Sequence, residues 1–307
     1  MSACNKPGLL QADKVLYASN RFIWLSALVG GIMFGFGMVM ASGCGSKTLV
    51  RIGSGNLKSL VVFVVMGVAS FATLKGITAV LRVSTVDSVS IDFPQSATLG
   101  QWLANAAGLD PSIAALALGL LLGLGLMVWA LTGRDFANAN NLLAGIGIGA
   151  IITAMWWLSG HMGFVAEHPE TLEAVFLATN SGRAESLSFV APVAYSLDWL
   201  IFFSDKSKVI TIGIISVVGM VTGSALQALA SQTFRWEGFG GTEDTANHLV
   251  GAVLMGVGGV VAMGCTVGQG LSGISTLSLT SFVALAAILA GAVGGLKYQM
   301  WRLERSL

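Results

Sequence analysis

Apolar positions in this chain do not alternate with polar ones; they fall into long charge-free runs. Residues 22–46, 59–74, 111–133, 136–160 and 209–234 carry no charge, and 186–204 carries only Asp198. Residues 249–296 are uncharged for 48 positions, too long for one span and interrupted by a small, polar stretch at 264–280. A helix needs about 20 mostly apolar residues to cross the hydrocarbon core. The runs therefore predict about eight spans, near 22–42, 57–81, 112–132, 140–160, 186–204, 209–231, 248–264 and 280–299. Three polar connections separate them, at 83–110, 161–185 and 235–247, and the second has room for a short surface helix.

The expected fold is all-α: a polytopic helical membrane domain over residues 1–307, with halves at 22–160 and 186–300. Lys297, Arg302 and Arg305 follow the last span and argue for a cytoplasmic C-terminus. Lys206 and Lys208 argue likewise for their loop, and Lys6, Lys14 and Arg21 for the N-terminus. The first 21 residues lack a cleavage pattern, so the first apolar segment is expected to serve as its own insertion signal.

Composition agrees. Charged residues make up 10% of the chain against about 25% in a soluble domain, and hydrophobic residues 54%. Mean hydropathy is +0.80. That composition excludes a nucleic-acid binder, and a net charge of +1 names no partner. Pairs of glycines four residues apart (Gly31/Gly35, Gly119/Gly123, Gly145/Gly149, Gly219/Gly223) are expected to serve tight packing within the bundle.

An internal repeat carries the chemistry. Residues 30–44, GGIMFGFGMVMASGC, align without a gap to 251–265, GAVLMGVGGVVAMGC, at an offset of 221. Identical pairs are Gly30/Gly251, Gly35/Gly256, Gly37/Gly258, Val39/Val260, Ala41/Ala262, Gly43/Gly264 and Cys44/Cys265. In each copy a glycine-rich helix stops at Gly-Cys, a small polar segment follows, and a new apolar helix starts. Non-helical backbone at membrane depth survives only where protein or a water-filled cavity satisfies it. Paired breaks of this kind point to a transport site, with helix starts that favour anions.

The candidate path is therefore Cys44 and Cys265 with Gly43, Gly45, Ser46, Thr48, Gly264, Thr266, Gln269 and Ser272. Lys47 and Arg51 would attract an anion to one mouth, or else anchor the chain at the headgroups. The hydroxyls and the Gln269 amide would donate to an anion, or else satisfy backbone at the breaks. Cys4 matches nothing and is read as incidental, and His161, His168 and His248 as isolated loop or interfacial residues.

The two motifs, above all MGCTVGQGLS at 263–272, resemble those of the YeeE/YedE sulfur-transport family, and the similarity extends over most of the chain. The resemblance implies a bacterial inner-membrane protein with pseudo-symmetric halves and short re-entrant helices. It implies uptake of thiosulfate or a related sulfur anion past cysteines lining the path. It also implies a small cytoplasmic sulfur-carrier protein as partner. Family members usually have a further Arg-Gly-Arg-Phe-Cys-like motif, and nothing before Phe22 resembles it here. A thiolate would repel a dianion, so both thiols are expected protonated. A membrane sulfurtransferase forming a persulfide is the competing class; a selenium substrate and a purely structural subunit are further alternatives. No Walker, Rossmann, haem or zinc pattern is present, so no cofactor is expected.

Overall fold

The computed structural model describes residues 14–133, 138–165 and 175–306. These segments are mostly helical, with only paired two-residue strands. Among the described residues, seven helices are long and apolar enough to cross a membrane. Two compact units are resolved: residues 1–20 with 94–186, and 21–93 with 187–307.

In the first unit, α5 (Leu99–Ala107) packs on α6 (Pro111–Thr132), and α7 (Ala139–Trp157) ends in a π turn, Leu158–Met162. Helix starts follow the local chemistry. The Thr98 side chain accepts from Gln101 N–H, and Asp110 accepts from Ser112 N–H with Pro111 at the first helical position. Between 163 and 185 the described residues form a two-stranded pair, Phe164–Val165 with Val175–Phe176, and no surface helix. His168 lies outside the described residues. His161 stacks on Trp157 in the π turn.

The second unit contains both repeat motifs. Its helices are α1 (Trp24–Met40), α2 (Gly45–Gly53), α3 (Leu57–Lys75), α4 (Ile77–Ser84), α8 (Val190–Ile201), α9 (Ile212–Ala230), α10 (Thr242–Val261) and α11 (Leu279–Ser306). Helices α1 and α10 cross antiparallel at their glycines. A Cβ on Gly37 would lie 2.7 Å from the Gly251 carbonyl oxygen, and one on Gly30 2.7 Å from that of Gly258. These two contacts are one contact under the 221-residue offset. In lipid, where apolar surface alone does not drive association, such close backbone approach is what holds helices together.

Each motif helix also packs on the other copy's following helix. Gly35 meets Ile288 and Ala292 of α11, and Gly256 meets Met66 and Ser70 of α3. Under the repeat these contacts are again equivalent, so the two copies are intertwined.

Four expectations change. The segment expected to span at 186–204 contains only the 12-residue α8, about 18 Å long at 1.5 Å per residue, against a core of about 30 Å. It is apolar because protein buries it: Val190, Val193 and Ala194 are fully enclosed. The span expected at 57–81 stops at Lys75, where Gly76 turns the chain into α4. Of the four glycine pairs only Gly31/Gly35 packs against another helix among the described residues; a Cβ added at the others would meet nothing there within 4 Å. Finally, α1 and α11 run parallel, with Gly31 facing Ala287, Gly35 facing Ala292 and Val39 facing Gly295. Arg21, at the start of α1, therefore lies at the opposite face from Arg302 and Arg305. Its guanidinium donates to Ser90 Oγ and the Asp87 carbonyl.

Candidate site at the two helix breaks

Both breaks use the same backbone device. Helix α1 ends at Ala41, Ser42 takes a left-handed conformation (φ 60°), and the chain reverses. Gly43 N–H donates to the Met38 carbonyl at 2.8 Å and Ser42 N–H to that of Val39 at 3.2 Å. Helix α10 ends at Ala262, and Met263 is left-handed (φ 56°). Gly264 N–H donates to Gly259 at 2.8 Å and Met263 N–H to Val260 at 3.0 Å. This paired pattern closes a helix end and satisfies carbonyls that lipid could not. Each cysteine then begins the next helical segment: Thr48 N–H bonds the Cys44 carbonyl at 2.9 Å and Gln269 N–H that of Cys265 at 2.8 Å.

After the cysteines the copies diverge. The first continues as regular helix α2, then Gly55 (φ 98°) and Asn56, which caps α3. The second continues as a π segment, Gly268–Gly273, then a 3₁₀ turn, Ile274–Thr276, and left-handed Leu277 before α11. There are 12 residues between Cys44 and Leu57 and 13 between Cys265 and Leu279. The wider π turns take up the extra residue.

The cysteines come together inside the second unit. Cys44 Sγ lies 3.2 Å from Ser46 Oγ and within hydrogen-bond reach of the Thr266 side chain, which follows Cys265. Ser46 and Lys47 N–H groups also face Cys44 Sγ. Cys265 Sγ accepts from Gly268 N–H at 3.4 Å, and the N–H groups of Val267 and Phe189 face it as well. Both sulfurs thus sit where N-terminal helix amides point, the end of a helix that favours negative charge. Cys44 is partly exposed, whereas Cys265 is fully buried. Phe189, Met66, Leu49 and Val190 pack in the same cluster.

The remaining candidates divide by what they bond. Thr48 Oγ1 donates to the Cys44 carbonyl at 3.1 Å, Gln269 Nε2 to that of Ala262 at 2.5 Å and Ser272 Oγ to that of Leu187 at 2.7 Å. Gly43 is covered by the Lys47 side-chain stem, and Gly264 lies against Gln269. Lys47 is exposed, Arg51 sits in the last turn of α2, and neither forms an ion pair among the described residues. Cys4 lies outside the described residues.

Two features escaped the sequence reading. The segment at 187–189, where α8 begins, reaches the Cys265 break, although nothing in its composition marks it. His248 is neither isolated nor in a loop. It is buried on α10, with Nδ1 2.7 Å from the Asp244 carbonyl oxygen and 3.0 Å from its Oδ1, and Phe239 edge-on to its ring. Lys58 pairs with the same Asp244 at 2.8 Å, tying the start of α3 to that of α10. The acidic first turn (Glu243, Asp244) with a histidine four residues after Asp244 was the available signal for a charged helix start.

The profile of the family described as sulphur transport matches residues 1–294. The thiosulfate transporter TsuA of Escherichia coli (strain K12) is 27% identical over 289 residues, covering 92% of this chain and 77% of that protein. The thiosulfate transporter TsuA of Spirochaeta thermophila is 24% identical over 274 residues, covering 86% and 74%. With a match over nearly its whole length and seven helices able to cross a bilayer, this chain is a multi-pass membrane protein that belongs to the sulphur-transport family.

Proposed function

We propose that the protein carries thiosulfate, or a closely related small sulfur anion, across the bacterial inner membrane, and that the two breaks form its path. One observation carries this: two helix starts, each led by a cysteine, meet at Cys44, Thr266 and Cys265. The named function of both relatives supports the substrate.

The chemistry suits such an ion. A bare dianion in hydrocarbon costs tens of kcal/mol. Helix-start amides and hydroxyls replace water around its oxygens, and a neutral thiol offers a weak donor to its soft terminal sulfur. On this reading Ser46 and Thr266, which bond Cys44, turn toward the ion. Thr48, Gln269 and Ser272, with Gly43, Gly45 and Gly264, hold the breaks in shape. Lys47 and Arg51 raise the local anion concentration at one mouth. Contacts at Cys44 and then Cys265 are weak enough for the ion to step on. The two halves at 22–160 and 186–300 would each contribute one break, and a small cytoplasmic carrier protein would take the delivered sulfur. A persulfide-forming enzyme would need a base or cation beside its nucleophile. Cys265 is surrounded by main-chain amides and apolar side chains, which favours passage over covalent capture.

Growth on thiosulfate as sulfur source tests the path. Cys44→Ala or Cys265→Ala should each reduce it at least about tenfold with unchanged protein level, while Cys4→Ala grows normally; that factor is about 1.4 kcal/mol. Wild-type growth of both single variants would refute the path.

A further inference from the structure

Cys265 is sealed while Cys44 is not, and the seal comes from a third piece of chain. Residues 187–189 run unhelically to the start of α8, whose first residues are as buried as any in the unit: Phe189 is 1% and Val190 0% exposed. Phe189 N–H points at Cys265 Sγ. A Cβ on Gly45 would meet the Phe189 Cβ at 3.7 Å, an ordinary contact. Phe189 therefore adjoins both the residue that follows the first cysteine and the second cysteine itself. A side chain also fastens the segment: Ser272 Oγ, on the π segment after Cys265, donates to the Leu187 carbonyl at 2.7 Å. Val190 locks the start of α8 against Gly259, where an added Cβ would lie 2.7 Å from a Val190 methyl.

We propose that Phe189 is the gate of the path and that the Ser272–Leu187 hydrogen bond is its latch. On this proposal the buried Cys265 marks the closed state, in which Phe189 keeps an ion at Cys44 from reaching it. Opening displaces one ring and one short segment and leaves the α1–α10 and α1–α11 glycine contacts untouched. A half-length helix suits this task, because its start is held by side chains rather than by a membrane-spanning length. The proposal rests on reading the two breaks as the transport path. Its test asks only about access to the thiols, so it can fail while thiosulfate transport stands, and the reverse.

The test is N-ethylmaleimide labelling of the full chain in proteoliposomes, followed site by site by peptide mass spectrometry. An introduced fourth thiol serves as reference: Ser26→Cys, nearly isosteric, at a fully buried position near the start of α1. A sealed thiol reacts in proportion to the opened population, so Phe189→Ala should speed labelling of Cys265 by about tenfold or more and Ser272→Ala by about threefold. Cys44 and the reference thiol should change by less than about twofold. Ser272→Ala, which removes one oxygen, keeps the test decisive if Phe189→Ala fails to fold. Unchanged Cys265 labelling in the folded variants would overturn the gate. So would an equal rise at the reference position, because that reports loosening of the whole unit.

Discussion

Ser42 and Met263 hold left-handed backbone at equivalent points, one residue before Gly43 and Gly264. Such a conformation costs a residue with a side chain about 1–2 kcal/mol relative to glycine, and it persists where the surroundings impose it. Ser42→Gly should therefore leave the melting temperature in detergent unchanged or raise it, while the β-branched Ser42→Val should lower it by several degrees. Equal melting temperatures for both variants would show that the turn is not under this constraint. Glu185 offers a different check. Burial pushes its carboxyl above the ordinary value, against the Ser181 donors that pull it down. A carboxyl raised on folding holds its proton more tightly in the folded state. This contribution is present at acid pH and is lost as pH rises through the raised value. Glu185→Gln should raise the melting temperature at pH 7 and flatten its fall between acid and neutral pH; an unaltered profile would contradict it. At this scale the cysteines and the glycines before them were legible because they repeat at a fixed offset, and Thr266 because it follows the second cysteine. Phe189 was not: it has no counterpart in the other copy, and its role comes from where the chain returns to.

At the scale of elements, packing decides which glycines matter. A Cβ on Gly35 would run into the Ile288 carbonyl of α11, whereas one on Gly123 meets nothing within 4 Å. Backbone cannot move away as a flexible side chain can, so Gly35→Ala should greatly reduce the amount of folded protein. Gly123→Ala should leave it unchanged or slightly higher, since alanine favours helix by up to about 1 kcal/mol. Size-exclusion profiles of the two variants after solubilisation check this, and equal losses would contradict the assignment of contacts. The sequence pattern located all seven long helices among the described residues because lipid demands about 20 apolar residues, whatever their packing. It misread α8 because burial in protein and burial in lipid leave the same apolar signature. It also could not distinguish packed from unpacked glycine pairs, since spacing along one helix says nothing of what faces it. The π segment after Cys265 was hidden for a similar reason: one extra residue is invisible in a gap-free alignment that ends at the cysteine.

For the whole molecule, the antiparallel crossing of α1 and α10 brings two helix starts to one place from opposite directions. On the proposed reading this gives the path two similar faces and one centre. The pseudo-symmetry was implied by the family resemblance, but the intertwining of α1 with α11 and α10 with α3 was not, because it depends on contacts far apart in the chain, such as Gly35 with Ala292 and Gly256 with Ser70. The family match fixes sulphur transport as the setting; what the two cysteines do to their substrate separates passage from chemistry. A path residue releases the ion intact, whereas a nucleophile keeps its sulfur. The most direct measurement follows thiosulfate labelled differently on its two sulfurs into liposomes containing only this protein. The account predicts that both labels arrive together, in equal amounts, with no sulfite released and no mass added to Cys44 or Cys265. Separation of the labels, with stoichiometric sulfite and a persulfide on either cysteine, would contradict it.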